Sequence, residues 1–549
     1  MPQREARTNQ APGNQSPTKL VSAEQIPNTF TSDSVRSARR VTLIVCFAAA
    51  TALRLAHLAA KPFWFDECFS AELARLDWRN FLHLLWWREA NMSLYYFLLR
   101  GWLHAFPAVA WDVAHSELLI RSMSVVLSVA TLPAICWLGR ILYNRQVALI
   151  SAALFAANAY SVRYAQEGRS YSLFLLLAVL SSGFLVAWLR RPVRRNLFAY
   201  VLFGILAVYA HFYALLLIAA HWLVIRFFGS PGLDPVNSSP GCDMQAMNRQ
   251  MRRAWKIIAV AVLPLLIFVA KTGAGPIKWI PRPGLHDLLQ FFENLAGSYT
   301  WPLLAIYTLA CIAALTRPGV KLFTHDQNWE TWRARFLLVW LVFPVALTAI
   351  LSLARPVFLG RYMIFCLPPL IILAAAGLSR LRHSSLLAAT LTVMLFLSLQ
   401  GISFVYGHDF DDERDGSGAA ANFILDHTQA GDGAIFHIAE ERVPYEFFRS
   451  LRAAEDTASP AFTRQLGPEI LFPRHGAGLD YRDFTGKPTA DFLRGVAPSH
   501  PRLWVLLIDN GPPSNPDPTT LMISQTLPEL FPNLQRWRFP RVELRLYSK

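Results

Sequence analysis

Charge is what this 549-residue chain has least of: only 16% of its residues are Asp, Glu, Lys or Arg, while 54% are hydrophobic. That balance excludes a water-soluble globular protein of ordinary composition and fits a membrane protein. Acid is scarcer than base, 37 Asp and Glu against 52 Lys and Arg, for a formal net charge of +15. Such an excess does not call for nucleic acid, because basic residues gathered in short loops between apolar runs report membrane topology and anionic lipid. Cysteine is sparse as well. The six present show no metal-ligand or disulfide spacing. Cys46, Cys136, Cys311 and Cys366 fall in apolar runs as small core hydrophobes, and Cys68 and Cys242 fall in loops on opposite sides of the membrane. No repeat relates the two halves of the chain, and no cleavable leader precedes the first apolar run.

What is present is a series of apolar runs. Residues 1–40, rich in Ser, Thr, Pro, Asn and Gln and ending in Arg36, Arg39 and Arg40, read as a disordered cytoplasmic tail. VTLIVCFAAATALRLAHLAA follows at the length a bilayer crossing needs, directed outward by its basic flank. Further runs near 118–138, 146–162, 171–189, 197–210, 212–228, 256–273, 301–316, 336–354, 362–378 and 385–405 bring the expectation to about eleven transmembrane helices. Residues 93–110 are apolar too, but Arg100, His104 and Pro107 interrupt them. Counting them as a span would put the loops bearing Arg190, Arg191, Arg194, Arg195, Arg252 and Arg253 outside, against the positive-inside rule. They are therefore expected to form an amphipathic helix on the outer interface, with Tyr95, Tyr96 and Trp102 at headgroup level.

The expected fold is thus an all-α polytopic membrane domain over 41–405, with a long first outer loop at 61–117, and a small extracytoplasmic α/β domain over 406–549. In that last part GAIFHIA, RLWVLLI and VELRLY read as strands among helical stretches. No nucleophile, metal or phosphate-loop motif is visible there, which points to a lid or an acceptor-binding platform. The N-terminus is placed in the cytoplasm, the C-terminal domain in the periplasm, and the protein in the cell inner membrane.

This topology brings several ionisable residues to one face. Asp66 and Glu67 follow the first span in KPFWFDECFSAELA, and Glu89, Asn91, Tyr95 and Tyr96 follow in EANMSLYY. A carboxylate at the membrane surface suits the removal of a proton from an acceptor hydroxyl; helix capping by the same residues is the alternative. In SVRYAQEGRSYSL, Glu167 stands between Arg163 and Arg169 at the mouth of two spans, where an unpaired charge is costly; a plain Glu167–Arg169 ion pair closing the loop is again an open alternative. Arg355 and Arg361 sit outside against the basic trend, and guanidinium groups there suit a phosphate ester. Ordinary lipid headgroups would be held by the same chemistry.

From about residue 41 onward the chain resembles bacterial members of the GT-C class, the glycosyltransferase family 39-like group of protein O-mannosyltransferases and the lipid A aminoarabinose transferase. The resemblance rests on Asp66-Glu67, on ANMSLYY, on ELLIRSMSVVLSVATLPAICWLGRILYNRQVALISAALFAANAYSVRYAQEGRSYSL, on AHFYALL and on GRYMIFCLPP. It implies that Asp66 is the catalytic base with Glu67 beside it, and that Glu167 shapes the same cavity. Glu89, Asn91, Tyr95, Arg169, His211, Arg355, Arg361 and Tyr362 join Glu167 as the substrate-binding set. Many relatives carry Pro-Pro before Leu-Tyr-Tyr, where this chain has Met92-Ser93.

The implied reaction is transfer of a hexosyl or pentosyl unit from a polyprenyl-phosphate donor to an envelope glycolipid, glycan or protein, with inversion. Arg355 and Arg361 would offset the charge of the leaving phosphate. No metal or other cofactor is then essential, though the site leaves room for a divalent cation. The competing readings are a lipid-linked glycan transporter or flippase, whose usual internal repeats are missing here, a membrane scaffold, and an oligosaccharide ligase.

Overall fold

The computed structural model describes residues 29–61, 63–87, 89–112, 115–229, 244–272, 280–297, 300–323, 328–407, 416–458, 467–473, 486–508 and 517–549. Six of its helices are long and apolar enough to cross a membrane, and up to eight crossings result if two bent helix pairs each count once. The protein is a multi-pass membrane protein, and among the described residues these crossings do not add up to the eleven expected. Two of the expected spans became α10 (Arg194–Ala210) and α11 (Ala214–Phe228), each short of the residues needed to cross about 30 Å of hydrocarbon.

Helix α1 (Thr29–Leu55) starts well before residue 41. The polar stretch expected as part of a disordered tail is helical from Thr29, because extending an existing helix is far easier than nucleating one. Residues 1–28 lie outside the described residues, as does Cys242. Next come α2 (Phe65–Arg75), α3 (Trp78–Trp87), α4 (Ser93–Ala105) and α5 (Pro107–Ala110), the four short helices of the segment expected as the first outer loop. Cys68, expected in a loop, is fully buried in α2.

Helix α4 is not a span, as the charge argument required, but its tyrosines do not lie at headgroup level. Tyr95 and Tyr96 are fully buried against the protein, and Trp102 donates its indole N–H to the Leu119 carbonyl at 3.0 Å. Trp78, Leu82, Trp86 and Trp87 of α3, with Phe97 and Leu98 of α4, are the exposed apolar side chains here. Periodicity identified an amphipathic helix; which stripe faces the protein depended on α2 and α6 packing against it.

The bundle proper contains α6 (Ser116–Leu142), α7 (Arg145–Ala156), α8 (Ala159–Ala165), α9 (Tyr171–Arg190), α10, α11, α12 (Met244–Thr272), α13 (Leu285–Ala296), α14 (Trp301–Leu315), α15 (Trp329–Ala354), α16 (Leu367–Leu378) and α17 (Ser384–Gly407). Helices α7 and α8 form a single run bent by 58°. Asn158 makes the bend: its side chain accepts the Ser161 N–H at 2.8 Å as an N-cap and donates to the Leu295 and Ala296 carbonyls. Helix α16 is buried along its whole length, with Pro368 and Pro369 in its first turn, where a missing N–H leaves no intrahelical bond unmade. It packs on α14 so closely that a Cβ on Gly377 would lie 1.8 Å from the Ala310 carbonyl oxygen.

Arg54 of α1 is completely buried. Its guanidinium donates to Ser128 Oγ, Ser161 Oγ and the carbonyls of Ala50, Phe155 and Ala156, at 2.8 to 3.3 Å. The last two carbonyls lie where α7 stops at the bend; Phe155 O also accepts the Asn158 N–H at 3.3 Å, and Arg54 supplies a donor to each. Among the described residues no carboxylate pairs with Arg54.

Residues 417–549 build a five-stranded sheet of order β2-β1-β3-β5-β4. Strand β1 (Gly433–His437) runs parallel to β2 (Glu469–Phe472) and β3 (Arg502–Ile508), while β5 (Val542–Ser548) is antiparallel to β3 and β4 (Asn533–Phe539). Four helices accompany it: α18 (Ser417–His427), α19 (Arg442–Ala458), α20 (Ala490–Val496) and α21 (Pro518–Thr526). The period-two alternation of a strand separates two cores. Phe436, Trp504, Leu506 and Leu544 join the core that continues into the helical bundle, whereas Ile435, Leu503, Val505 and Leu507 form a separate cluster with α20 and α21.

Candidate active site

Helix α2 begins at Phe65 and places Asp66 and Glu67 in its first turn. The two adjacent carboxylates have opposite surroundings. Glu67 is fully buried, with Oε1 accepting from Arg121 Nε at 2.9 Å and from the Gly168 N–H at 2.7 Å, and Oε2 accepting from Arg121 Nη2 at 2.7 Å. Arg121 also donates to the Leu58 and Lys61 carbonyls. The bidentate pair therefore ties the end of α1, the start of α2, helix α6 and the 166–170 turn into one unit. Gly168 is required there, since a Cβ would lie 2.7 Å from Ile120 Cγ2.

Asp66 keeps a side-chain exposure of 19% and has Arg169 Nη2 3.6 Å from Oδ2. Its carboxylate makes no hydrogen bond among the described residues, so an oxygen stays available to an incoming hydroxyl. Arg169 is the hub beside it: Nη1 donates to the Asp66 carbonyl at 3.3 Å, Ser70 Oγ at 3.2 Å and the Tyr96 hydroxyl at 3.5 Å. Burial alone would lower the Arg169 guanidinium, but Asp66, Tyr96, Tyr171 and Glu89 hold it well above its ordinary value, so it is permanently charged.

Glu167 faces Arg163 Nε at 3.9 Å, both side chains buried. This pairing runs one helical turn back along the chain. Asn91 Oδ1 accepts the Phe212 N–H at 3.1 Å, bringing the 89–92 segment onto the turn between α10 and α11. His211 in that turn is buried, stacked on Phe174 with ring centroids 5.2 Å apart and 4.7 Å from Tyr362. Its Nε2 has no hydrogen-bond partner among the described residues.

Arg361 lies over the Trp64 ring at 5.7 Å and beside Tyr362 at 5.8 Å. Arg361 lies in a 3-10 helix, Gly360–Cys366, whose start is fixed by the Tyr160 hydroxyl, which donates to the Gly360 carbonyl at 2.7 Å, and the stretch before it is held by the Tyr213 hydroxyl, which donates to the Val357 carbonyl. Arg355, by contrast, is exposed at the end of α15. The structure brings Arg361 to Trp64, next to the α2 start, and leaves Arg355 at the surface.

Met92 has φ of +63° and is buried at the start of α4. Proline, locked near −65°, cannot adopt that backbone. This entry into α4 therefore excludes proline at position 92. Arg121 and Arg54 are the residues that sequence reasoning passed over. An arginine inside an apolar run was the available signal.

Glu89, beside this group, is pushed up to about 7 by burial, with Arg169 opposing the rise and Asp66 adding to it. A raised carboxyl binds its proton more tightly when folded, so its stabilising contribution is full below about 4.5 and is lost as pH climbs to about 7. Glu89→Gln is therefore expected to gain thermal stability relative to the parent at about pH 8 over about pH 5. A difference in Tm that stays constant between those two values would refute the assignment.

Among the described residues no three or more His, Cys, Asp or Glu side chains converge as a metal site.

The architecture is the GT-C fold, the class the resemblance implied. Solved structures that share it include ArnT from Cupriavidus metallidurans in the apo state, at TM-score 0.59 and 12% identity over 93% of this chain and 98% of that one. The same protein bound to undecaprenyl phosphate superposes at TM-score 0.55 with 12% identity, covering 92% and 97%. The Archaeoglobus fulgidus oligosaccharyltransferase, in complex with Zn and sulfate, matches at TM-score 0.50 and 12% identity over 84% of this chain and 67% of its own. No family model matches the sequence, and no curated protein does.

Proposed function

We propose that this protein transfers a monosaccharide from a polyprenyl-phosphate donor to an envelope glycolipid, glycan or protein on the outer face of the cytoplasmic membrane. The observation that carries the reading is the division of labour between adjacent carboxylates. Glu67 is consumed by Arg121 and Gly168, while Asp66 is accessible and flanked by a permanent cation. Further support comes from ArnT, whose fold this chain shares and which binds undecaprenyl phosphate.

In this mechanism Asp66 takes the proton of an acceptor hydroxyl as its oxygen attacks the anomeric carbon. The bond from that carbon to the phosphate oxygen breaks, and the phosphate leaves with the electron pair from the opposite face, inverting the configuration. Arg361, together with Arg169, holds the departing phosphate; fixed guanidinium groups stabilise such charge where it develops. Arg355, at the surface, binds lipid headgroups instead. Glu67 positions the α2 start, and Glu167 with Arg163 shapes the turn that carries Arg169. A monophosphate leaving group held by arginines requires no divalent cation.

Purified protein incubated with polyprenyl-monophosphate sugar and acceptor lipid, with and without chelator, tests the reading. Glycosylated acceptor and free polyprenyl monophosphate are expected in equal amounts, undiminished by chelator. Turnover only with a diphosphate-linked glycan would favour an oligosaccharide ligase; lipid movement across vesicles without transfer would favour a flippase.

A further inference from the structure

The C-terminal domain grips the helix that carries Asp66. Helix α19 lies along α2, and Phe447 stacks on Phe63, just ahead of Asp66 in the chain, with ring centroids 5.2 Å apart. At the far end of α2 the Arg75 guanidinium is sandwiched between the Phe447 ring at 4.7 Å and the Trp111 ring at 4.6 Å. Between these contacts Ser450 Oγ donates to Glu72 Oε1 at 3.4 Å. Gly418 of α18 admits the Phe63 carbonyl so closely that a Cβ there would lie 2.4 Å from the oxygen.

The root of the domain is held to the same place. Lys61 donates to the Val405 carbonyl, the Tyr406 hydroxyl donates to the Leu53 carbonyl, and the His57 and Tyr406 rings lie 4.8 Å apart. The chain entering α2 is thus bound to the end of α17, from which the C-terminal domain departs. Helix α2 has only 11 residues, and its N-cap Trp64 makes no side-chain capping bond. Without these neighbours it would be a marginal helix.

We infer that α19, through Phe447 and Ser450, sets the position of α2 and so of Asp66, which makes the C-terminal domain a working part of the reaction centre. The inference rests on Asp66 as the base. Proximity catalysis is steep in distance: a displacement of about 1 Å costs about a hundredfold in rate. Removing the Phe447 ring takes away a contact at each end of α2 at once.

The test uses the full-length protein in detergent. Phe447→Ala is expected to lower kcat by about ten- to a hundredfold, with KM for the polyprenyl-phosphate donor within about twofold, and Phe447→Leu to recover most of the loss. Val505→Ala serves as control, because Val505 is equally buried in the same domain but on the opposite sheet face; it is expected to lower Tm and leave kcat alone. Ser450→Ala reads the same kcat should Phe447→Ala not yield folded protein. Unchanged kcat in Phe447→Ala, a loss carried by KM, or an equal kcat loss in Val505→Ala at matched Tm overturns the inference. Asp66→Asn run in parallel separates the two claims: an active Asp66→Asn removes the base, while the Phe447 result still judges whether α19 governs turnover.

Discussion

Asp66→Asn is expected to reduce kcat by about 10²- to 10⁴-fold, the range lost when a positioned general base is removed, with donor KM close to the parent value. The expectation follows from which bonds the side chain makes. The Asp66 carboxylate makes no hydrogen bond among the described residues, and its charged neighbour Arg169 is 3.6 Å away. Substitution by the isosteric amide therefore leaves no buried partner stranded, apart from a weakened pairing with a cation that retains Ser70 Oγ and the Tyr96 hydroxyl as acceptors. Fold and donor binding should survive while the proton acceptor is lost. Initial rates over a range of donor concentrations would show it, and full turnover by Asp66→Asn would remove Asp66 from the chemistry.

The neighbouring carboxylate gives the second large effect, and it is on stability. Arg121→Met leaves Glu67 buried with its charge uncompensated, and breaking a buried pair in this way costs about 3–5 kcal/mol. The Leu58 and Lys61 carbonyls also lose their donor. A large fall in Tm and in the yield of monodisperse protein is expected. Glu67→Gln combined with Arg121→Met should recover part of it, because the charge is gone even though the Gly168 N–H contact is altered. If Arg121→Met melts with the parent, the pair does not hold the site together. The two experiments also discriminate between the adjacent acids, since one variant is expected to be folded and inactive and the other poorly folded.

Sequence reasoning located Asp66, Arg169 and Arg361 because they are polar residues in otherwise apolar surroundings, and no tertiary knowledge is needed to notice that. Apart from the family resemblance, which implied Asp66 as the base, it did not separate Asp66 from Glu67. Neighbours in a helix point in different directions, and what each meets depends on α6 and the 166–170 turn, remote in the chain. The same limit hid the distinction between Arg355, which ends up exposed, and Arg361, which lies over Trp64. The Leu-rich runs announced the bundle; among the described residues six to eight crossings pass by length and composition, and α10 and α11 are apolar without being long. In the C-terminal domain β1, β3 and β5 were legible as apolar runs. Strand β2, with four residues, and β4, in which charged and apolar side chains alternate at an edge, were not.

Arg54 has a bearing on how the chain is made. A charged side chain in an isolated membrane helix is costly, about 2.5–3.5 kcal/mol at the helix centre and less towards an end, and Arg54 stands in the last turn of α1. The groups that relieve it, Ser128 Oγ, the Phe155 and Ala156 carbonyls and Ser161 Oγ, belong to α6, α7 and α8. During synthesis α1 emerges before α6, α7 and α8 and carries a guanidinium for which most of the partners do not yet exist. Helix α1 thus settles into its final place only after the α7–α8 bend has formed to receive it.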